Sequence, residues 1–225
     1  MAFNSWRGVV GDIKPTMRPG ALEELIRMLP QGVGVIPLFL NIRDGKVETF
    51  KQAVTEYEPL IAKLAEAEVD LIHAEGAPPF MVLGHEGEAK IFERWEREYK
   101  VPIFTSGTNH VRALKALNIK RFIGVTYFTP EINGHFKRYF QQAGFDFLGI
   151  EVVDVPFNKV GSLSSQEMYA HIKKTFFKYP KHDLVSVSAL GRSRGDRAFG
   201  AGTWDNGSRG ASGDHLARAA ALQRY

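Results

Sequence analysis

The feature that most constrains the fold is a regular alternation of short apolar runs with longer segments of helical periodicity. Seven runs are strand candidates, and most are apolar throughout, as expected for strands that are covered on both faces. They comprise residues 8–13, 34–40, 69–73, 102–105, 122–127, 147–155 and 184–188. The helical segments between them comprise residues 20–29, 47–67, 84–99, 108–117, 130–143 and 165–177. A series of strand, helix and strand predicts an α/β fold with parallel sheets.

Composition and charge exclude several classes of protein. The 225 residues include no cysteine, which rules out disulfides, thiolate metal sites and thiol catalysis. No apolar run approaches the ~18 residues that cross a bilayer, and the N-terminus lacks the pattern of a signal peptide. We therefore expect a cytoplasmic protein with no membrane partner. Residues 191–225 hold six Arg and three Asp, a surplus of +3, so residues 1–190 carry only +1 of the net charge of +4. This distribution predicts no nucleic-acid partner.

Three loops at predicted strand ends carry candidate binding residues, because ligands of parallel α/β folds bind at the carboxyl ends of the strands. Gly76 and Ala77 precede Pro78, and their backbone N–H groups can hold a carboxylate, although the two prolines alone explain a rigid turn. Thr108 stands at a helix start, where it is either a binding residue or a plain N-cap. Tyr127 ends a strand, and its hydroxyl either donates to an oxyanion or takes part in ordinary packing.

Motifs for cofactors and metal ions are absent from the sequence. There is neither a GxxxxGK[ST] loop nor a GxGxxG after a strand. The pairs His73 with Glu75 and His85 with Glu88 lack a third ligand at a suitable spacing, so a surface or capping role is the better interpretation. We therefore predict that the protein uses no cofactor and no metal ion.

One segment carries a family resemblance. It reads PIFTSGTN, then ALKALNIKRFIGVTYF, with Tyr127 at a strand end and Asn133 six residues later. Together with the small and proline residues of 11–15 and the glycine loop at Gly76, it resembles the aspartate/glutamate racemase superfamily, in particular the branch of arylmalonate decarboxylase and maleate isomerase. The resemblance implies two Rossmann-like lobes with parallel sheets, related by pseudo-twofold symmetry, with a ligand cleft between them.

The chemistry that the resemblance implies is cofactor-free proton transfer at the carbon next to a carboxylate. The substrate would be a small carboxylate or dicarboxylate, and the activity a racemase, an isomerase or a decarboxylase. The superfamily uses cysteines for this, but the matching positions, at or beside Gly76 and near Val187, lack sulfur. Tyr127 matches the decarboxylase tyrosine. The candidate substitutes are His73 as a base and Tyr127 as an acid. The predicted substrate-binding residues are Gly76, Ala77, Pro78, Thr108, Asn133 and Ser188.

A second interpretation is a non-catalytic or vestigial carboxylate-binding protein on the same scaffold. The resemblance also leaves a homodimer open. The predicted regions are a first lobe (1–117), an incomplete second lobe (118–190) and a Gly/Arg-rich tail (191–225) that contains no Val, Ile, Lys or Pro. Read one base later with free choice of codons, residues 190–207 can encode the helix and strand that the fold requires there. The tail is therefore interpreted as a frameshift product, with a disordered basic terminus as the alternative.

Overall fold

The computed structural model describes residues 5–17, 20–179 and 181–187. The chain divides into two compact units, Met1–His110 and Val111–Tyr225. The predicted boundaries after residues 117 and 190 stay predictions, and the predicted frameshift segment lies outside the described residues.

In the described part of the first unit there are four strands and five helices, and the last helix continues beyond the unit. They are β1 (Gly8–Lys14), α1 (Gly20–Met28), β2 (Val33–Phe39), α2 (Val47–Glu66), β3 (Leu71–Ala74), α3 (Ala77–Met81), α4 (His85–Tyr99), β4 (Ile103–Thr105) and α5 (Ser106–Ala116). Among the described residues, the second unit contains β5 (Arg121–Thr126), α6 (Pro130–Gln142), β6 (Asp146–Val152), a 3₁₀ helix (Phe157–Ser162), α7 (Ser165–Lys178) and β7 (Leu184–Val187).

Each unit is built on its own parallel sheet. The strand order is β2-β1-β3-β4 in the first sheet and β6-β5-β7 in the second, and every pair of neighbouring strands is parallel. In both sheets the first strand along the chain lies between the next two. The prediction of an α/β fold with two parallel sheets is therefore confirmed.

The core of the first unit forms because α2 and α4 each present an apolar face. Seven residues of α2 are buried, and they recur at the helical spacing that keeps them on one face: Val47, Phe50, Ala53, Val54, Tyr57, Ile61 and Leu64. Leu64 packs directly over Gly11 of β1, where an added Cβ would lie 2.7 Å from a Leu64 methyl carbon. Trp95 of α4 is fully buried, with the rings of Phe92 and Phe80 edge-on at centroid distances of 5.2 and 6.4 Å.

The second unit has an aromatic core around β5. The ring of Phe122 is met edge-on by the rings of Phe140, Phe145 and Phe147 at centroid distances of 4.8 to 5.8 Å. Asp183, just before β7, accepts hydrogen bonds from the two backbone N–H groups that open β5 and pairs with the Arg121 guanidinium at 3.2 Å. These contacts fix the edge strand β7 against the central strand.

Local signals at several helix ends are confirmed. Thr129 caps α6 by accepting from the Ile132 N–H, with Pro130 at the first helical position. Asn118 has φ of 57°, the left-handed conformation predicted for the residue that closes α5. Two short elements were not predicted, α3 and the 3₁₀ helix. Helix α5 begins at Ser106 rather than at Thr108.

Candidate functional site

The site in the first unit is built from two rows of side chains at and just beyond the carboxyl ends of the strands. Asp12 on β1 pairs in register with His73 on β3, and His73 pairs with Phe104 on β4. Lys14 lies two positions beyond Asp12 on β1 and therefore on the same face of the strand. Glu75 and Ser106 follow directly after the ends of β3 and β4, and with Lys14 they form a second row nearer the carboxyl ends. The second row thus stands where ligands of such sheets bind.

His73 is held at both ring nitrogens. Its Nδ1 lies 2.9 Å from Oδ1 of Asp12, and its Nε2 lies 3.3 Å from Oγ of Ser106. An ionised carboxylate only accepts hydrogen bonds, so Nδ1 carries the proton and a neutral ring offers its Nε2 lone pair to Ser106. The ring also stacks on Phe104 at a centroid distance of 4.6 Å. The imidazole therefore has a set tautomer and a set orientation.

The Asp12 and His73 side chains differ in how far they are buried. The Asp12 side chain is fully buried, whereas 14 % of the His73 side chain remains exposed. Oδ2 of Asp12 has no hydrogen-bond partner among the described residues. A buried carboxylate oxygen without a partner costs free energy, so its presence calls for an explanation, of which a role in chemistry is one. The carboxylate is thus a buried support, and the imidazole is the part that a ligand can reach.

A part-buried ion pair joins Lys14 to Glu75, two positions beyond His73. Lys14 Nζ donates to Oε2 of Glu75 at 2.7 Å, and the Lys14 side chain is only 2 % exposed. Tyr57 of α2 donates its hydroxyl to the backbone carbonyl of Glu75. Burial raises the pKa of Tyr57 well above its ordinary value of 10.0, and the charges of Glu75 and Asp12 raise it further. The Tyr57 hydroxyl therefore keeps its proton at neutral pH and serves as a hydrogen-bond donor.

Gly76 forms the turn between β3 and α3. Its φ is +107°, in the region that favours glycine, and its N–H donates to Oγ of Ser106 at 3.1 Å. This N–H is thus already engaged within the protein, unlike the free donor that the sequence predicts. Ala77 and Pro78 are buried at the start of α3. Pro78 and Pro79 carry no backbone N–H, so Ala77 supplies the N–H of this first turn.

Thr108 belongs to a buried polar group at the start of α5. The hydroxyl of Thr105 donates to Glu88 of α4, and its oxygen accepts from the Thr108 backbone N–H at 2.8 Å. The two threonine hydroxyl oxygens are 3.0 Å apart. Thr105 is therefore the residue that caps α5, so the helix starts earlier than the sequence pattern predicts.

The predicted residues of the second unit lie near the end of β5. The ring of Tyr127 is half-buried and contacts the rings of Phe128 and Phe157 at centroid distances of 4.3 and 5.9 Å. Asn133 is buried; its side chain accepts from the Thr126 hydroxyl at 2.8 Å and donates to the Phe128 carbonyl at 3.0 Å. Asn133 thus holds the turn that presents Tyr127. Ser188 lies outside the described residues.

Sequence reasoning selected His73 but not the polar side chains near it. Asp12, Lys14, Glu75 and Ser106 belong to the same two rows, yet none was selected as a site residue. The signal that could have found them is the alternation of polar with apolar residues in GDIK and IHAEG, since period-two alternation marks one face of a strand. Which polar faces meet depends on register, which the sequence does not give.

Metal-binding and membrane-spanning features can be assessed only for the part of the chain that is described. There, no group of three or more His, Asp or Glu side chains is arranged to hold a metal ion. Within the same residues, no helix combines the length and apolar character needed to cross a bilayer.

Comparison with known proteins gives the family. The model of the family described as arylmalonate decarboxylase matches residues 22–196. The chain belongs to the arylmalonate decarboxylase family. This membership confirms the resemblance to the arylmalonate decarboxylase and maleate isomerase branch. A search of curated protein sequences finds no match for this family member.

Solved structures show the same fold at low sequence identity. The maleate isomerase Iso from Pseudomonas putida S16 is 16% identical, with a TM-score of 0.70, over 83% of this chain and 80% of that one. The Nocardia farcinica maleate cis-trans isomerase bound to TRIS is also 16% identical, with a TM-score of 0.70, over 86% of this chain and 85% of that one. Unliganded arylmalonate decarboxylase is 13% identical, with a TM-score of 0.68, over 80% and 76%. This member of the arylmalonate decarboxylase family contains no cysteine.

Proposed function

We propose that the protein transfers a proton at the carbon next to a carboxylate in a small organic acid, without a cofactor, and that His73 is its base. The observation that carries the proposal is the 2.9 Å contact between His73 Nδ1 and the fully buried Asp12. A histidine that is oriented by a buried carboxylate is a common general base. The resemblance described above implies cofactor-free proton transfer. Because the chain has no cysteine, another side chain must carry the proton.

The charges of the first-unit site indicate that Lys14 helps to bind the substrate carboxylate. The two carboxylates of Asp12 and Glu75 and the one ammonium group of Lys14 give a formal charge of −1 while His73 is neutral. A substrate carboxylate adds another negative charge, and like charges at short distance repel. Lys14 supplies the opposing charge, so its removal should weaken substrate binding more than it slows the chemical step.

The remaining predicted residues complete this proposal. Tyr127 is the proposed acid, because its hydroxyl belongs to a half-buried ring at the end of β5. The proposed substrate-binding residues remain Gly76, Ala77, Pro78, Thr108, Asn133 and Ser188. A small carboxylate or dicarboxylate is the proposed substrate class. One of the solved relatives, a variant of the Pseudomonas enzyme, was determined with maleate. A homodimer and a cytoplasmic location also stay predictions.

Exchange of carbon-bound hydrogen in D₂O tests this function directly. The full-length protein is incubated with aspartate, succinate, maleate and phenylmalonate, and proton NMR follows loss of the signal at the carbon next to the carboxylate, together with new products. We expect exchange or conversion of at least one compound. His73→Gln should slow it by about 100-fold or more, the usual contribution of a general base.

Matched controls separate loss of the base from general damage. His135→Gln removes a different histidine, on α6, that contacts Arg138, and Asp70→Asn removes an aspartate that binds the Val9 N–H at the opposite end of β1. Both should retain exchange, whereas Asp12→Asn should lose it. Calorimetric binding of the same compounds without exchange in the wild type would refute the proposal and favour the carboxylate-binding alternative.

A further inference from the structure

The proton transfer proposed above makes no use of the Ser106 hydroxyl, although this hydroxyl faces the same histidine. We propose that Ser106, His73 and Asp12 form a nucleophile, base and carboxylate that hydrolyse small esters through an acyl group carried on Ser106 Oγ. This activity shares the base His73 with the proton transfer proposed above, but it requires Ser106 and removes no hydrogen from carbon. Each of the two activities can therefore fail while the other remains.

The contacts run in the order that such chemistry requires. Ser106 Oγ lies 3.3 Å from His73 Nε2, and His73 Nδ1 lies 2.9 Å from Asp12 Oδ1. With the proton on Nδ1, the Nε2 lone pair faces the serine hydroxyl, and the buried Asp12 stabilises the imidazolium that forms when the ring takes that proton. The serine–histidine distance is long for a hydrogen bond, as is common for such pairs before substrate binds.

The position of Ser106 in the fold supports a nucleophile. Strand β4 ends at Thr105 and helix α5 begins at Ser106. The serine of α/β-hydrolases occupies the same kind of junction, and the N–H of the following residue helps to bind the oxyanion. Here the following residue is Gly107, in the first turn, where N–H groups lack intrahelical acceptors. The GxSxG pattern is absent, since the local sequence is FTSGT, so the similarity is one of geometry.

A second donor acts on the serine oxygen itself. The Gly76 N–H donates to Ser106 Oγ at 3.1 Å. A hydrogen bond to an oxygen that is losing its proton strengthens as negative charge develops. Gly76 therefore helps to stabilise Oγ during attack, and its N–H is positioned by a turn whose φ of +107° favours glycine.

The reaction balances with water as the second reactant. Ser106 Oγ bonds to the ester carbonyl carbon while its proton moves to His73 Nε2. The bond from that carbon to the alcohol oxygen then breaks, and the leaving alcohol takes the proton from Nε2. Water next attacks the acyl-serine and gives a proton to Nε2. The bond between Oγ and the acyl carbon breaks, Oγ regains the proton, and a carboxylic acid departs.

Access to the serine limits the size of the substrate. Ser106 is half-buried and the His73 side chain is 14 % exposed. Phe104 covers one face of the imidazole. We therefore assign short acyl groups, of which acetyl is the simplest, and p-nitrophenyl acetate is the substrate to use as a probe.

Covalent labelling of the wild-type protein is the first test. The full chain is treated with a fluorophosphonate probe, and intact mass and peptide mapping locate the adduct. We expect one label, on Ser106. Labelling and hydrolysis of p-nitrophenyl acetate should fall at least 100-fold in Ser106→Ala and in His73→Gln, and the double variant should be no slower than either, since such residues act as a unit. Ser162→Ala, which removes an exposed hydroxyl bound to the Lys159 carbonyl, should retain both.

A cysteine at this position gives an independent measurement. The chain has no cysteine, so Ser106→Cys introduces a single thiol whose alkylation by iodoacetamide is read directly by mass. A thiol paired with a histidine forms thiolate at lower pH than a free thiol. Ser106→Cys should therefore react at least ten times faster at pH 7 than Ser162→Cys, and His73→Gln should abolish the difference. A fluorophosphonate adduct elsewhere, no adduct, or equal thiol reactivities would overturn the proposal.

Discussion

Replacing Gly76 with alanine tests whether the turn beside Ser106 tolerates a side chain. At φ of +107° a residue with a Cβ is strained, which costs about 1–3 kcal/mol. The new Cβ would also lie 3.1 Å from Pro15 Cγ and 3.1 Å from the Tyr57 hydroxyl. Crowding of this kind costs about 1–3 kcal/mol more. We therefore expect Gly76→Ala to lower the free energy of unfolding of the first unit by about 2–6 kcal/mol.

Alanine variants of two other glycines separate the backbone cost of Gly76→Ala from its crowding cost. Gly144 has φ of +91° and nothing within 4 Å of an added Cβ, so Gly144→Ala measures the backbone cost alone. Gly134, inside α6, has open space and no positive φ. Gly134→Ala should stabilise by up to about 1 kcal/mol, because alanine is the better helix former. The difference between the Gly76 and Gly144 variants is then the crowding cost.

A double-mutant cycle with Tyr57 checks the assignment of the contact. Tyr57→Phe leaves the Glu75 carbonyl without its donor, which costs about 1–3 kcal/mol. It also removes one of the atoms that crowd Cβ at position 76. The double variant should therefore lose less than the sum of the two single variants, by about 0.5 kcal/mol or more.

Urea unfolding followed by tryptophan fluorescence and circular dichroism is the assay. Trp95 is fully buried in the first unit, so its emission reports on the packing that surrounds the turn. The midpoints are compared only where the slope of the transition is unchanged. A Gly76→Ala variant within 0.5 kcal/mol of the wild type, or single costs that simply add, would refute the reasoning.

Three further predictions concern other parts of the chain. Burial raises the pKa of Asp183, but hydrogen bonds from the Arg121 and Lys120 N–H groups and from the Arg121 guanidinium bring it below 3.8. The ionised carboxylate therefore stabilises the fold above pH 3.8, and this stabilisation is lost as the pH falls through the lower pKa of the folded state. In Asp183→Asn the free energy of unfolding should depend less on pH in that window. Asn133→Ala removes the hydrogen bonds that the Asn133 side chain makes with the Thr126 hydroxyl and the Phe128 carbonyl and should cost about 2–4 kcal/mol in thermal unfolding; an unchanged midpoint would contradict this. If the tail is a frameshift product of sequencing, the gene sequence near codon 190 should not encode the present residues 190–225, and the intact mass of the expressed protein should differ from 25.2 kDa.

The fold could be predicted because each strand is recognisable from its own short stretch of sequence. The runs that became β1 to β7 are short and apolar, and the helices between them require parallel connections. Helix α3 was missed because its two prolines indicate a turn, although proline fits the first turn of a helix. The start of α5 was misplaced because Thr105 was assigned to the strand alone, whereas it also caps the helix.

The candidate site could be predicted only in part because it depends on register. His73 stood out as a titratable residue at a strand end, but its partner Asp12 is 61 positions away. Pairing between them requires β1 and β3 to be neighbours and in step, which the strand order β2-β1-β3-β4 provides. Ser106 lies at a helix start, and nothing local distinguishes a capping serine there from one whose oxygen faces an imidazole.

The separation of these residues along the chain has a consequence for how the protein becomes functional. Asp12 and His73 meet only after a loop of about sixty residues has closed, and closure of long loops slows folding. Ser106 joins them when β4 docks on β3. Its chemical reactivity should therefore appear only once the order β1-β3-β4 is complete. The rate at which a serine-directed reagent labels refolding protein would time the assembly of this sheet, independently of any optical signal.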